Sequence, residues 1–345
     1  MAANNAQADL PAHETRRQAM TLTRRQFTLA GLGAAGIAAA PALRAAGYPD
    51  RPIVFICPWS PGGTADTTMR ALCQAASKDI GQSIVVENKA GASGMIGLRA
   101  MANAKPDGYT IGQIPISVTR FSQLGTVKLD PMTELTYIAR VSGQTFGTAV
   151  LPTAPWKTLQ ELVADAKARP GKITFASAGV GGATHVGWEE FLMAAGIRMN
   201  HIPFKGGAEA LQAVLGGHVD LLVDSSSWAP MVRDGKLRLL ATWGEQRTQA
   251  FKDVPTLKDL GYNVVVDAPN GIGAPKGLDP AVAARLRAAF KVAAASPEFS
   301  NACAQIEAPL MYLDGPDYAK YVEATYRKET QLIDRLKLKE LMAKG

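Results

Sequence analysis

From Tyr48 onward the chain alternates short β-branched runs with longer stretches of helical spacing, the signature of βαβ units built around a parallel sheet. Ile53–Cys57 reads as a strand, Ala65–Ile80 as a helix, Ile84–Glu87 as a strand, Met95–Asn103 as a helix and Tyr109–Pro115 as a third strand. Pro152–Trp156 reads as a boundary, after which Leu159–Ala168 predicts a helix closed by Arg169-Pro170-Gly171. The alternation then resumes. Strands are expected at Ile173–Ala176, Met199–Pro203, Leu221–Val223, Leu237–Thr242 and Asn263–Val266, with helices at Thr184–Ala195 and Ala208–Leu215. Pro280–Ala295 and Asp317–Leu338 predict long amphipathic helices, the last packing across the body. A length of 345 residues, 47% hydrophobic and 19% charged, suits about two globular domains.

The first 46 residues read differently. Arg24-Arg25 precedes Phe27 and Leu29, and an uncharged stretch, Ala30–Ala42, follows. A basic start, a modest apolar run and a small-residue exit make a secretory signal, and the paired arginines point to the twin-arginine route into the periplasm. Cleavage is expected between Ala42 and Gly47. The apolar run of about fourteen residues is shorter than the roughly 20 that a membrane-spanning helix needs. Gly31-Leu32-Gly33-Ala34-Ala35-Gly36 spells G-x-G-x-x-G, but no strand precedes it, so the dinucleotide reading fails its context.

The formal charge of +7 includes Arg16, Arg17, Arg24, Arg25 and Arg44 against Asp9 and Glu14 in that segment, leaving +4 for the remainder. No stripe of Lys and Arg interleaves with aromatics, which argues against nucleic acid as a partner. Cys57, Cys73 and Cys303 lack metal-ligand spacing and permit at most one bridge; Cys57 and Cys73 read as small buried residues.

Three of the strands run into loops suited to an anion. In open α/β sheets ligands lie beyond the carboxyl ends of strands, where helix N-termini present free N–H groups and partial positive charge. The first such loop is Pro58–Thr67. Gly62 and Gly63 let the backbone approach a ligand, Ser60 and Thr64 add hydroxyls, Trp59 supplies a wall, and Asp66 either caps the helix or touches the ligand. The second is Gly91–Met95, with Ser93 and Gly94; the third is Ser177–His185, with Ser177, Gly181, Thr184 and His185. His185 either donates to a carboxylate or packs locally at the helix start. Asp224, after Leu221–Val223, either meets a ligand amine or hydroxyl or caps its loop, and Ser117 is a further candidate. Three loops of this kind are expected to converge on an interdomain cleft.

Other chemistries lack their motifs. No G-x-x-x-x-G-K-[ST], G-x-S-x-G, H-E-x-x-H or C-x-x-C is present, so no cofactor or metal is expected and the chain does not read as an enzyme. His201 and His218 read as structural. A secreted enzyme using Asp66 or His185 would need a nucleophile or base with an orienting partner, and none is visible in the sequence. A periplasmic ligand-sensing module for a receptor would use the same fold and is separated by its partner.

Several blocks, in order, resemble the substrate-binding component of tripartite tricarboxylate transporters, the TctC or Bug family. They are Tyr48-Pro49-Asp50-Arg51-Pro52-Ile53, Pro58-Trp59-Ser60-Pro61-Gly62-Gly63 with Asp66, Gly81–Lys89 with Gly91, and Pro106-Asp107-Gly108-Tyr109-Thr110. Pro170-Gly171-Lys172, Ala176-Ser177, His201–Gly206, Leu215–Asp220, Gly235–Arg238 and Asp253-Val254-Pro255-Thr256 continue the match. The resemblance implies a type II periplasmic binding-protein fold of two α/β domains with a ligand cleft between them, domain 1 over 47–148 and 266–345 and domain 2 over 149–265. It also implies a small organic acid as ligand (a di- or tricarboxylate, an amino acid or an aromatic carboxylate), membrane transporter subunits as partners, and a monomer. By that likeness Ser60, Gly62, Gly63, Thr64, Ser93 and Gly94 form the common anion grip, and Ser177, Gly181, Thr184, His185 and Asp224 set selectivity. Trp59-Ser60 stands where the family pattern has Phe-Pro.

Overall fold

The computed structural model describes residues 47–342. The export signal, its cleavage and the Gly31–Gly36 motif lie outside the described residues.

Two sheets organise the chain. The first has the order β11-β4-β10-β3-β1-β2, and the second β7-β6-β8-β5-β9. The first is laid down by β1 (Ile53–Cys57), β2 (Ile84–Asn88), β3 (Thr110–Ile114) and β4 (Leu135–Gly143), with helices α1 (Thr64–Ile80), α2 (Met95–Ala102) and α3 (Val118–Gln123) between them. The chain then passes to the second sheet at Gln144-Thr145, ahead of Pro152–Trp156, because β5 (Phe146–Val150) already pairs with β8 and β9. That half continues as α4 (Leu159–Ala168), β6 (Thr174–Ser177), α5 (Ala183–Ala195), β7 (Asn200–Pro203), α6 (Gly207–Leu215), β8 (Leu221–Ser225), α7 (Trp228–Arg233) and β9 (Arg238–Thr242). A return to the first sheet brings β10 (Pro269–Pro275), α8 (Pro280–Ala294), α9 (Pro297–Gln305), β11 (Leu310–Asp314), α10 (Gly315–Arg335) and α11 (Leu338–Met342).

Both sheets are mixed, a correction to the expectation of parallel pairing. β1 runs parallel to β2 and β3, but β10 pairs antiparallel with β3 and β4, β11 antiparallel with β4, and β5 antiparallel with β8 and β9. β5 and β10 are the strands on which the chain passes from one sheet to the other, and no crossover helix precedes either; β11 is added at an edge after α9. Asn263–Val266 is not a strand: its ladder reduces to the Val266 amide donating to the Trp243 carbonyl at 3.0 Å. The long C-terminal helix breaks at Lys337, whose φ of 49° cannot continue a right-handed helix.

Packing follows from the patterns. β1 is buried along nearly its whole length, as a strand covered on both faces must be, with α1, α8 and α9 enclosing Ile53, Phe55, Met69, Leu72, Phe290 and Phe299. The second half centres on Trp188, which stacks on Trp243 (5.6 Å between ring centroids), itself stacked on Phe146 at 5.7 Å. Cys57, Cys73 and Cys303 are free and buried. Burial holds the Cys57 and Cys303 thiols up to about 12, so they stay protonated and unreactive.

Candidate functional site

Residues of both sheets close around a cavity of about 50 Å³, room for a few water-sized groups. Three helices aim their N-termini at it. α1 begins after Gly63, α5 after Gly182 and α6 after Gly206; in each the capping position is an extended glycine with no side-chain cap. A serine or aspartate there would have satisfied the first free amides. Glycine leaves them for a ligand and adds the positive end of the helix dipole.

Side chains sharpen the case. Thr64 and Gln113 are 4% and 1% exposed, and the Thr64 hydroxyl, the Gln113 Oε1 and the indole Nε1 of Trp59 are buried without a hydrogen-bond partner. All three residues line the cavity. Unpaired buried polar atoms are uncommon because each costs the desolvation of the group, and several in one cavity mark a place where a bound molecule completes the bonding. Trp59 can only donate; Thr64 donates through its hydroxyl. Together with the helix amides they form a donor-rich wall suited to a carboxylate.

Asp224 is the acidic member. It stands at the end of β8, 1% exposed, with Ser227 Oγ donating to its Oδ2 at 2.5 Å. Burial pushes its carboxyl up to about 7, against the lowering effect of the Ser227 and Ser225 hydrogen bonds. A Cβ on Gly207 would fall 2.3 Å from Asp224 Oδ2, so the glycine is what lets α6 pass the carboxyl. A neutral Asp224 tolerates an anionic neighbour that an ionised one would repel.

Of the residues singled out from sequence, Trp59, Gly63, Thr64, Ser117, Thr184 and Asp224 line the cavity. The others do not line it. Gly62 holds the first loop with φ 80°, and its amide donates to Asp66, which also receives Asn88 Nδ2 at 2.7 Å and Arg70 Nε at 3.0 Å. Asp66 therefore secures the helix start rather than facing the cavity. Ser60 Oγ donates to Glu209 Oε1 of α6 at 3.1 Å and Ser93 Oγ to the Val180 carbonyl at 2.6 Å, both contacts joining loops of the first half to the second half. Gly94, with φ 87°, packs beneath Trp59 and Pro115. Gly181 donates its amide to His185 Nδ1 at 3.0 Å, which fixes His185 locally.

Ser177 Oγ lies 2.6 Å from His201 Nε2, a contact that superficially suggests a nucleophile and base. Neither lines the cavity. His201 stacks on His185 (3.9 Å) and Phe175 (4.8 Å), and burial, with His185 adding, lowers its pKa to about 3. A base so weak, with no carboxylate among the described residues hydrogen-bonded to its ring, is poorly suited to activating a hydroxyl. Among the described residues no group of three or more His, Cys, Asp or Glu is placed to hold a metal ion, and no helix is long and apolar enough to cross a membrane.

Gln113, Gln144, Phe146, Gly207 and Pro269 also line the cavity and were not anticipated. One signal was available: Gln113 is a lone polar residue between Ile111 and Ile114 of a buried strand.

Comparison with known proteins agrees with this architecture. Residues 68–338 match the family described as "Tripartite tricarboxylate transporter family receptor". A Cupriavidus necator protein named "UPF0065 protein in gbd 5'region" is 42% identical over 323 residues, 92% of this chain and 99% of the relative. A solved structure titled "Structure of a periplasmic transporter" superposes with a TM-score of 0.80 at 32% identity, covering 83% of this chain and 97% of that one. The periplasmic binding protein BugD likewise gives a TM-score of 0.80 at 28% identity, covering 84% of this chain and 99% of that one.

Proposed function

Since the chain belongs to the TctC/Bug family of tripartite tricarboxylate transporter receptors, with a periplasmic binding-protein fold, we propose that it captures a small organic carboxylate between its two halves and delivers it to membrane transporter subunits. In this reading residues 1–46 export the chain to the periplasm by the twin-arginine route. It works there as a monomer and makes or breaks no bond in its ligand.

One observation carries the proposal: uncapped N-termini of α1, α5 and α6 meet the unpartnered donors of Trp59 and Thr64 in a single cavity bounded by both sheets. Neutral donors and helix ends hold an anion without a buried arginine. Because the ligand would touch both halves, its binding free energy favours the closed arrangement over an open one. The contacts Ser60 to Glu209 and Ser93 to Val180 are those expected to part on opening.

The test is a thermal-shift screen of small carboxylates followed by calorimetry, since a ligand that binds only the folded protein raises its melting temperature. At least one acid should shift the melt, and Thr64→Val should weaken that acid's binding about tenfold through a lost hydrogen bond to a charged group. Absence of any response across the acids, alongside binding of amines or neutral sugars, would reject the carboxylate reading.

A further inference from the structure

The cavity holds an acceptor as well as donors, and its identity is set by a relay of amides. The backbone carbonyl of Gly143 can only accept, so the Asn270 nitrogen must face it: Asn270 Nδ2 donates to Gly143 O at 3.4 Å and to Ser142 Oγ at 2.9 Å. Asn270 Oδ1 is thereby left as an acceptor, taking Gln113 Nε2 at 2.9 Å and Gln144 Nε2 at 3.2 Å. With its nitrogen committed, Gln113 presents Oε1 as its free atom. That oxygen is buried and unpartnered, on a residue that lines the cavity. Flipping Gln113 would put two oxygens together at Asn270, so the acceptor cannot become a donor on demand.

A carboxylate alone cannot satisfy it. Its oxygens accept, and a bare carboxylate or dicarboxylate at the α1 N-terminus would leave Gln113 Oε1 unpaired in a buried place. We infer that the ligand carries, besides its carboxylate, a hydrogen-bond donor, a hydroxyl or amino group, which meets Gln113 Oε1, so that Gln113 selects hydroxy or amino acids over their unsubstituted parents. The inference rests on the carboxylate reading above and narrows the class of acid. A site built to bond a ligand hydroxyl or amine rejects the analogue without it more strongly than an apolar pocket rejects a missing methylene, because the protein's own polar atom is stranded. Asn270 acts through Gln113 as a positioning residue.

Calorimetry with matched triplets tests this on the wild-type protein: propionate, lactate and alanine; succinate, malate and aspartate; glutarate, 2-hydroxyglutarate and glutamate. In any triplet that binds, the hydroxy or amino member should bind about tenfold or more tightly than the parent, and which of the two leads identifies the donor. Gln113→Met, close in volume but without the acceptor, should reduce that ratio to about one. Should Gln113→Met fail to fold, the wild-type ratio alone decides. Equal affinity within a triplet for the wild-type protein, or an unchanged ratio in a folded Gln113→Met, would overturn the inference while leaving carboxylate capture intact. If amines or neutral sugars bind and no acid does, the carboxylate reading fails and this inference fails with it.

Discussion

Arg120 holds Glu329 in a two-pronged pair, Nε to Oε2 at 2.8 Å and Nη2 to Oε1 at 2.7 Å, and its remaining Nη1 donates to the Gly181 carbonyl at 2.8 Å. α3 and α10 are thereby tied to the loop that opens α5 in the other half. Both side chains are nearly enclosed, 6% and 9% exposed. Removing one partner leaves an unpaired buried charge, so Arg120→Leu should lower unfolding stability by about 3 kcal/mol. Denaturant titration checks it; a loss below about 1 kcal/mol would mean that water screens the pair.

The two glycine types in the cavity loops should fail differently when substituted. Gly62 has φ 80° and open space where a Cβ would stand, so Gly62→Ala should cost about 1 kcal/mol of stability through backbone strain alone. At Gly207 the clash is with Asp224, and Gly207→Ala should displace the carboxyl and lower affinity for the captured acid about tenfold or more. Paired melting and calorimetry separate the two effects, and wild-type affinity in a folded Gly207→Ala would show that Asp224 is not a wall of the site.

Asp224 should make binding pH-dependent. Its folded pKa, raised to about 7 from an ordinary 3.8, means that between those values the folded chain keeps a proton that the unfolded chain has lost. Stability therefore falls as pH rises across that window and levels off above it. Affinity for an anion should fall as pH rises through 7. Asp224→Asn should flatten both trends; binding that weakens with the same pH profile in the variant would place the responsible group elsewhere.

His201 should act with the opposite sign. Its pKa falls from 6.5 to about 3 because burial and the stacked His185 disfavour the cation. Between those values the unfolded chain binds more protons, so this contribution is present above 6.5 and is lost as pH falls toward 3. His201→Gln should lose less melting temperature than wild type between about pH 7.5 and 4.5. An equal loss in both proteins would remove His201 as a source of acid sensitivity.

Much of the first half was legible because its order is local. Ile53–Cys57, the Gly-rich loop and α1 follow one another within a stretch whose spacing, capping glycine and β-branched residues state the same structure at each level. β10 was not legible. Pro269, Gly271, Gly273 and Pro275 carry no strand signal and no element was expected there, yet the strand is central; a Cβ on Gly271 would fall 2.0 Å from Tyr318 Oη and one on Gly273 would fall 2.3 Å from Ile114 Cδ1. Those glycines answer to the helix and strand packed on them, not to strand propensity.

The candidate site divides in the same way. Spacing and composition by themselves determined that glycine, serine and threonine would gather where strands hand over to helices, since turn chemistry is written within a few residues. Only the tertiary structure decided that Thr64 and Asp224 line the cavity while Ser60 and Ser93 bond to Glu209 and Val180 of the other half and Asp66 turns back to its own loop. Only it decided that Gln113 is an acceptor, because the amide that orients it, Asn270, lies 157 residues further along the chain. A side chain's hydrogen-bonding role depends on which partners folding brings beside it, and those partners are not its neighbours in sequence.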